Sequence, residues 1–111
     1  MLKYLISDMD HTLLHNDGQL DQATISAVHR SAIKLCLASA RNPYSMVEFI
    51  NQLELAGPQL AMNGAIIFQV HAGEVQVLRE CAISRKLAKR LAMELQSFYP
   101  AVSCNCRPIT G

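Results

Sequence analysis

The sequence predicts an α/β fold: part of a parallel sheet with crossover helices. Three observations carry the prediction. Short apolar runs alternate with amphipathic stretches, the pattern of strands joined by helices. Half of the 111 residues are hydrophobic, enough for one small core that buries about two-thirds of the unfolded surface, but too little for two full domains. The first apolar run ends in two carboxylates, Asp8 and Asp10, and a strand end of this kind delivers polar groups to the sheet edge where open α/β folds bind ligands.

Taken in order, Tyr4 to Ser7 is the first strand. His15-Asn16-Asp17-Gly18 is a turn, because Asn, Asp and Gly tolerate positive φ. Asp21 can cap a helix whose apolar face includes Ala23, Ala27 and Val28, with Leu20 and Ile25 placed as a hydrophobic staple. Arg30-Ser31-Ala32 then runs into the next strand with no Gly to terminate the helix, which is therefore expected to be short. Lys34 to Ala38 is the second strand. Asn42-Pro43 opens a helix, Asn as cap and Pro in the first turn, with Met46, Val47, Phe49, Ile50 and Leu53 as its buried stripe and Gly57-Pro58 as its end. Gln59 to Met62 is a third short strand, and Ile66 to Val70 with Glu74 to Leu78 form a hairpin around His71-Ala72-Gly73. Ser84 caps a last helix with Leu87, Leu91, Leu95 and Phe98 on one face. Pro100 stops it, and Ala101 to Cys106 is expected to begin a strand.

Composition narrows the partners. A net charge of +1 gives no field for nucleic acid or a membrane surface, and no apolar run is long enough to span a bilayer. Cys36, Cys81, Cys104 and Cys106 are even in number, but Met1 to Ile6 is too short for a secretory leader, so a reducing cytoplasm is the expected setting. Cys104-Asn105-Cys106 has one intervening residue where most zinc and redox motifs have two or more, which favours two ordinary thiols. His11, His15, His29 and His71 show no ligand-like clustering.

Carboxylates as close as Asp8 and Asp10 repel each other unless a cation sits between them. The spacing therefore asks for a hard divalent ion such as Mg²⁺ and supplies a carboxylate nucleophile with an acid/base neighbour. A solvated strand-end turn is the plain alternative. Asp8-Met9-Asp10-His11-Thr12 resembles the Asp-x-Asp-x-Thr signature of the haloacid dehalogenase superfamily. Leu37-Ala38-Ser39-Ala40-Arg41 resembles its second motif, and Met62-Asn63-Gly64-Ala65 the Asn-Gly-Ala segment of its Cof-type phosphatase branch. The likeness runs from Met1 to about Glu80, which would be the N-terminal part of a Rossmann-like core, with residues 81–111 as the beginning of an α/β cap.

The resemblance implies Mg²⁺-dependent hydrolysis of a small phosphorylated metabolite. Asp8 would attack the phosphoryl group, and Asp10 would protonate the leaving alcohol and later activate water. Mg²⁺ would be held by Asp8 and the main chain of Asp10, with Thr12 bracing the loop through side-chain to backbone hydrogen bonds. Ser39 would bond the transferring group, Arg41 would meet phosphate or a carboxylate on the cap, and Asn63 would line the crevice. Ser39 as a turn cap, and Arg41 and Asn63 as solvated loop residues, are the alternatives.

Departures from the family pattern carry equal weight. His11 and Ala40 stand where glycines are usual, which puts a Cβ on each loop. The family's third-motif cation and fourth-motif acid pair have no counterpart in these 111 residues, and Lys86, Lys89 and Arg90 fall on the expected cap helix. The expectation that competes with an enzyme is therefore a catalytically incompetent truncated product, or a binding or regulatory module. In the family the first strand is central. Here it is expected to be an exposed edge, prone to self-association or in need of a complementing C-terminal polypeptide.

Overall fold

In a computed structural model, residues 3–101 are described. The elements are β1 (Tyr4–Asp8), α1 (Gln22–Arg30), β2 (Lys34–Ala38), α2 (Val47–Leu53), β3 (Gln59–Ala61), β4 (Ile66–His71), β5 (Glu74–Glu80) and α3 (Arg85–Gln96). The chain divides between Glu80 and Cys81 into two compact units. The expected strand from Ala101 to Cys106, including the Cys104 and Cys106 thiols, lies outside the described residues.

The first unit is a five-stranded mixed sheet in the order β1-β2-β3-β4-β5. β1 and β2 run parallel in unbroken register from Tyr4 opposite Lys34 to Asp8 opposite Ala38. β2 and β3 are parallel with a single paired position, Ala38 and Leu60. β3, β4 and β5 are antiparallel, with an irregularity between Ile67 and Phe68. Ala72 (φ 52°) and Gly73 (φ 80°) turn the hairpin, and positive φ at both positions matches the twist of the flanking strands.

Burial follows the apolar pattern. Leu37 of β2, Ala61 of β3, Ile66 and Phe68 of β4 and Phe49, Ile50 and Leu53 of α2 are buried, joined by Met9, Leu14 and Met46. α1 packs against α2 and keeps no fully buried side chain. Gln59 is the unexpected core residue, 0% exposed. Its Oε1 accepts from the Leu37 N–H at 2.6 Å and its Nε2 donates to the Gly57 carbonyl at 3.1 Å. The amide thus substitutes for a backbone ladder where β2 and β3 share only one pair.

Side-chain caps open α1, α3 and the 3₁₀ turn that leads into α2. Asp21 Oδ1 accepts from the Thr24 N–H at 2.7 Å, Asn42 Oδ1 from Ser45 at 3.0 Å and Ser84 Oγ from Leu87 at 3.1 Å. The segment opened by Asn42 starts as a 3₁₀ turn, Pro43–Met46, before α2. Its end departs from expectation: Glu54, not Gly57-Pro58, closes α2 by turning left-handed at φ 54°. The N–H of Glu54 then reaches Asn51, and that of Leu55 reaches Ile50 at 3.0 Å, the paired bonds of a Schellman end. Those bonds offset the steric cost of placing a Cβ in that region.

β1 stands at an open edge. Tyr4, Leu5 and Ile6 are 63%, 52% and 63% exposed, so both of its faces are uncovered. In the second unit α3 carries Leu87, Leu91 and Leu95 as an exposed stripe.

Candidate active site

Parallel β1 and β2 end side by side, and that alone brings the first two motifs together. After β1 the chain curls through Met9–Leu13, closed by a 2.9 Å bond from the Leu14 N–H to the Met9 carbonyl. Within this curl Asp10 is extended (φ −66°, ψ 130°) and His11 is left-handed (φ 61°, ψ 9°). Thus His11 occupies a conformation that glycine takes without cost, although His is among the residues that visit it more often. Ala40 is not among the residues with positive φ, and its Cβ imposes no such strain.

Asp8 is exposed at the strand end, and its Oδ2 accepts from the Thr12 hydroxyl at 3.4 Å. Thr12 therefore braces the Asp8 carboxylate itself, where a bond to backbone is the sequence-based expectation. Its side chain returns toward the strand end because the curl brings residue 12 back to residue 8.

Asp10 is held by Arg41. Nη2 donates to Oδ1 at 2.7 Å and Nε to Oδ2 at 3.1 Å, a two-pronged ion pair across the ends of two strands. The hydrogen bonds from Arg41, with its charge and that of His11 adding to them, hold the Asp10 carboxyl below the usual carboxylate range against the opposing effect of burial. Asp10 is consequently ionised at neutral pH. The Arg41 guanidinium also lies over the Phe49 ring, 5.3 Å from its centre.

The loops after β2 and β3 are laced together by main-chain bonds. Ser39 is 6% exposed, and its Oγ accepts from the Arg41 N–H at 3.1 Å, which makes it a turn cap. The Ser39 N–H donates to Leu60, its carbonyl accepts from Asn63 at 3.0 Å, and the Met62 N–H donates to the Arg41 carbonyl at 2.9 Å. Asn63 joins the site through its main chain and is itself exposed. Met62, Asn63 and Gly64 all have positive φ (51°, 55° and 92°), so the Asn-Gly-Ala segment opens on a left-handed run. Neither Met62 nor Phe49 carries a sequence signal for this role, since one acts through its amide and the other as an aryl platform.

Among the described residues no group of three His, Cys, Asp or Glu side chains could hold a metal ion. The donor set still suits Mg²⁺, which accepts one or two carboxylates and completes its shell with waters and phosphate. Asp8 offers a carboxylate, while that of Asp10 is engaged by Arg41. A cavity of about 440 Å³ opens elsewhere, at the starts of the parallel strands beside Tyr4, Lys34 and His29, at the opposite end from Asp8. No helix among the described residues is long and apolar enough to cross a membrane.

A family model described as haloacid dehalogenase-like hydrolase matches residues 5–106. The chain belongs to the haloacid dehalogenase-like hydrolases. Solved structures of the same kind are similar to it. A haloacid dehalogenase-like hydrolase from Bacteroides thetaiotaomicron is 25% identical, with a TM-score of 0.75 over 88% of this chain and 38% of that one. Another protein from that organism, described among the phosphatases of the haloalkanoate dehalogenase superfamily, is 30% identical, with a TM-score of 0.67 over 90% and 37% of the two chains. A Thermotoga maritima protein, 20% identical with a TM-score of 0.70 over 88% and 37%, is alike in fold. The chain thus spans less than two-fifths of the length of these structures. No curated protein matches it.

Proposed function

We propose that this haloacid dehalogenase-like chain provides the nucleophile half of a phosphomonoester hydrolase acting on a small phosphorylated metabolite in the cytoplasm. The observation that supports this most is the pairing of roles at one edge: an exposed Asp8 carboxylate beside an Asp10 carboxylate held ionised by Arg41. An oxygen of Asp8 attacks phosphorus, the P–O bond to the alcohol breaks, and an aspartyl-phosphate forms. A water then attacks that phosphorus and regenerates Asp8 with release of inorganic phosphate. In the second step ionised Asp10 accepts the proton of the water. In the first, the departing alkoxide must receive a proton, and Asp10 can deliver one only after leaving the Arg41 fork and taking up a proton from solvent. The Ser39 hydroxyl, whose oxygen accepts from the Arg41 N–H, would donate its own proton to the transferring phosphoryl group. Asp8 and the main chain of Asp10 would hold Mg²⁺, which when bound shields the charge of the phosphoryl group from that of the nucleophile.

Turnover by the 111-residue chain is expected to be low, on the order of 10²-fold or more below a family enzyme with all four motifs, because it supplies no third-motif cation or fourth-motif acid pair. A second reading, a phosphate-binding module without turnover, draws support from Arg41, whose guanidinium already engages both carboxylate oxygens of Asp10. Fluorine NMR of a beryllium fluoride adduct, with hydrolysis of an aryl phosphate in parallel, separates these readings. Both signals, each abolished by Asp8→Asn, support the hydrolase. An adduct without hydrolysis supports the module. Neither, or hydrolysis indifferent to Asp8→Asn, overturns the assignment of Asp8.

A further inference from the structure

We infer that Arg41 is an exchangeable clamp: its guanidinium passes from Asp10 to an anionic group of the ligand, and this exchange frees the Asp10 carboxylate. The inference rests on the proposed phosphate crevice and adds to it how Asp10 is released. It makes Arg41 a positioning residue for Asp10 as well as a contact for the ligand.

Several features of Arg41 point this way. The planar fork suits a carboxylate and a phosphate equally well, since each offers two oxygens at matching separation. At present both prongs are spent on Asp10. A ligand phosphate can gain them only by displacing that carboxylate. The pair is also reachable: the Arg41 and Asp10 side chains are 30% and 46% exposed, a setting in which an ion pair is weak enough to be traded.

The backbone meanwhile is fixed. The Arg41 N–H is bound to Ser39 Oγ and its carbonyl to the Met62 N–H, while the guanidinium rests over Phe49. Movement is confined to the outer torsions of one side chain, with the Phe49 ring as a surface to slide on. Asp10 itself sits outside helix and strand, extended in the curl after β1 and next to left-handed His11.

The test uses the whole chain, labelled with nitrogen-15 arginine and titrated with inorganic phosphate against a chloride control. The Arg41 Nε–H signal, identified by its loss in Arg41→Gln, is expected to shift saturably with phosphate. Asp10→Asn, which removes the competing carboxylate, should strengthen phosphate binding by up to about fivefold, the scale of a half-exposed ion pair. That gain should disappear in the Arg41→Gln background, where no clamp remains to be released.

An equal gain in both backgrounds means a general charge effect and overturns the exchange. So does an Arg41 signal that stays put while phosphate saturates, or a lack of any saturable phosphate binding. The outcome is separable from that of the hydrolase reading. A beryllium fluoride adduct on Asp8 with an unmoved Arg41 removes the clamp and leaves the nucleophile, whereas a moving Arg41 without an adduct does the reverse.

Discussion

Gln59→Met is the substitution whose cost can be worked most directly from the structure. Methionine keeps the length of the side chain and its burial, and deletes both hydrogen bonds. The Leu37 N–H, bonded to Gln59 Oε1 at 2.6 Å inside the sheet, loses its acceptor with no water at hand, which costs about 1–3 kcal/mol. The Gly57 carbonyl belongs to an exposed residue, so water replaces the amide there at small cost. Removing the amide from the core returns part of the loss. The net is about 2 kcal/mol, or a fall in melting temperature of roughly 8–16 °C for a domain of this size. Calorimetry and urea unfolding measure it, with Gln76→Met as the control. Gln76 accepts from Gln69 at 2.6 Å on the exposed hairpin, and its replacement should cost below about 0.5 kcal/mol. A Gln59→Met chain as stable as its parent would refute the view that this amide holds β2 to β3.

His15 should titrate above its ordinary 6.5 in an NMR pH series, because the Asp21 carboxylate 2.7 Å away favours its charged form, and Asp21→Asn should return it toward that value. Asp21 is drawn down to about 2, so the stabilising pair is complete between about pH 4 and 6.5, fades as His15 deprotonates on the alkaline side, and is lost in acid as pH falls toward 2. His11→Val, which forces a β-branched residue to φ 61°, should cost about 1–2 kcal/mol in urea unfolding, whereas His11→Gly should be neutral or slightly stabilising. Leu5→Lys should weaken self-association through β1 in sedimentation of the concentrated chain, since a charge on an open edge opposes pairing; a parent chain that stays monomeric throughout removes the premise.

Much of the fold could be read in the residues because its causes are local. Asp21, Asn42 and Ser84 cap the segments they precede, and the hairpin turns where Ala72-Gly73 allows it. That Asp8, Asp10, Ser39, Arg41 and Asn63 meet at one edge follows from parallel strands ending in step. What escaped the sequence depends on distant partners. Arg41 has a fork that fits phosphate or carboxylate alike, and only the register of β1 against β2 puts Asp10 within its reach. Gln59 reads as an ordinary polar residue after Gly57-Pro58, although it fills the gap left by a one-pair ladder. Glu54 ends α2 through bonds to Asn51 and Ile50 that no periodicity announces.

The edge position of β1 also has a kinetic meaning. β4 and β5 meet across the two residues Ala72 and Gly73, a hairpin that closes in about 1–10 μs. β1 must instead find β2 across the whole α1 crossover, and among the described residues it has only that one neighbour to reward the loop entropy it gives up. It therefore docks late and detaches early, and amide protons of Leu5 to Ser7 exchange with solvent before those of Ile66 to Val70. Asp8 rides on the end of that strand. On warming, the placement of Asp8 is lost while the hairpin is still intact, and a helical or sheet signal measured at that temperature reports a molecule whose Asp8 edge has already come apart.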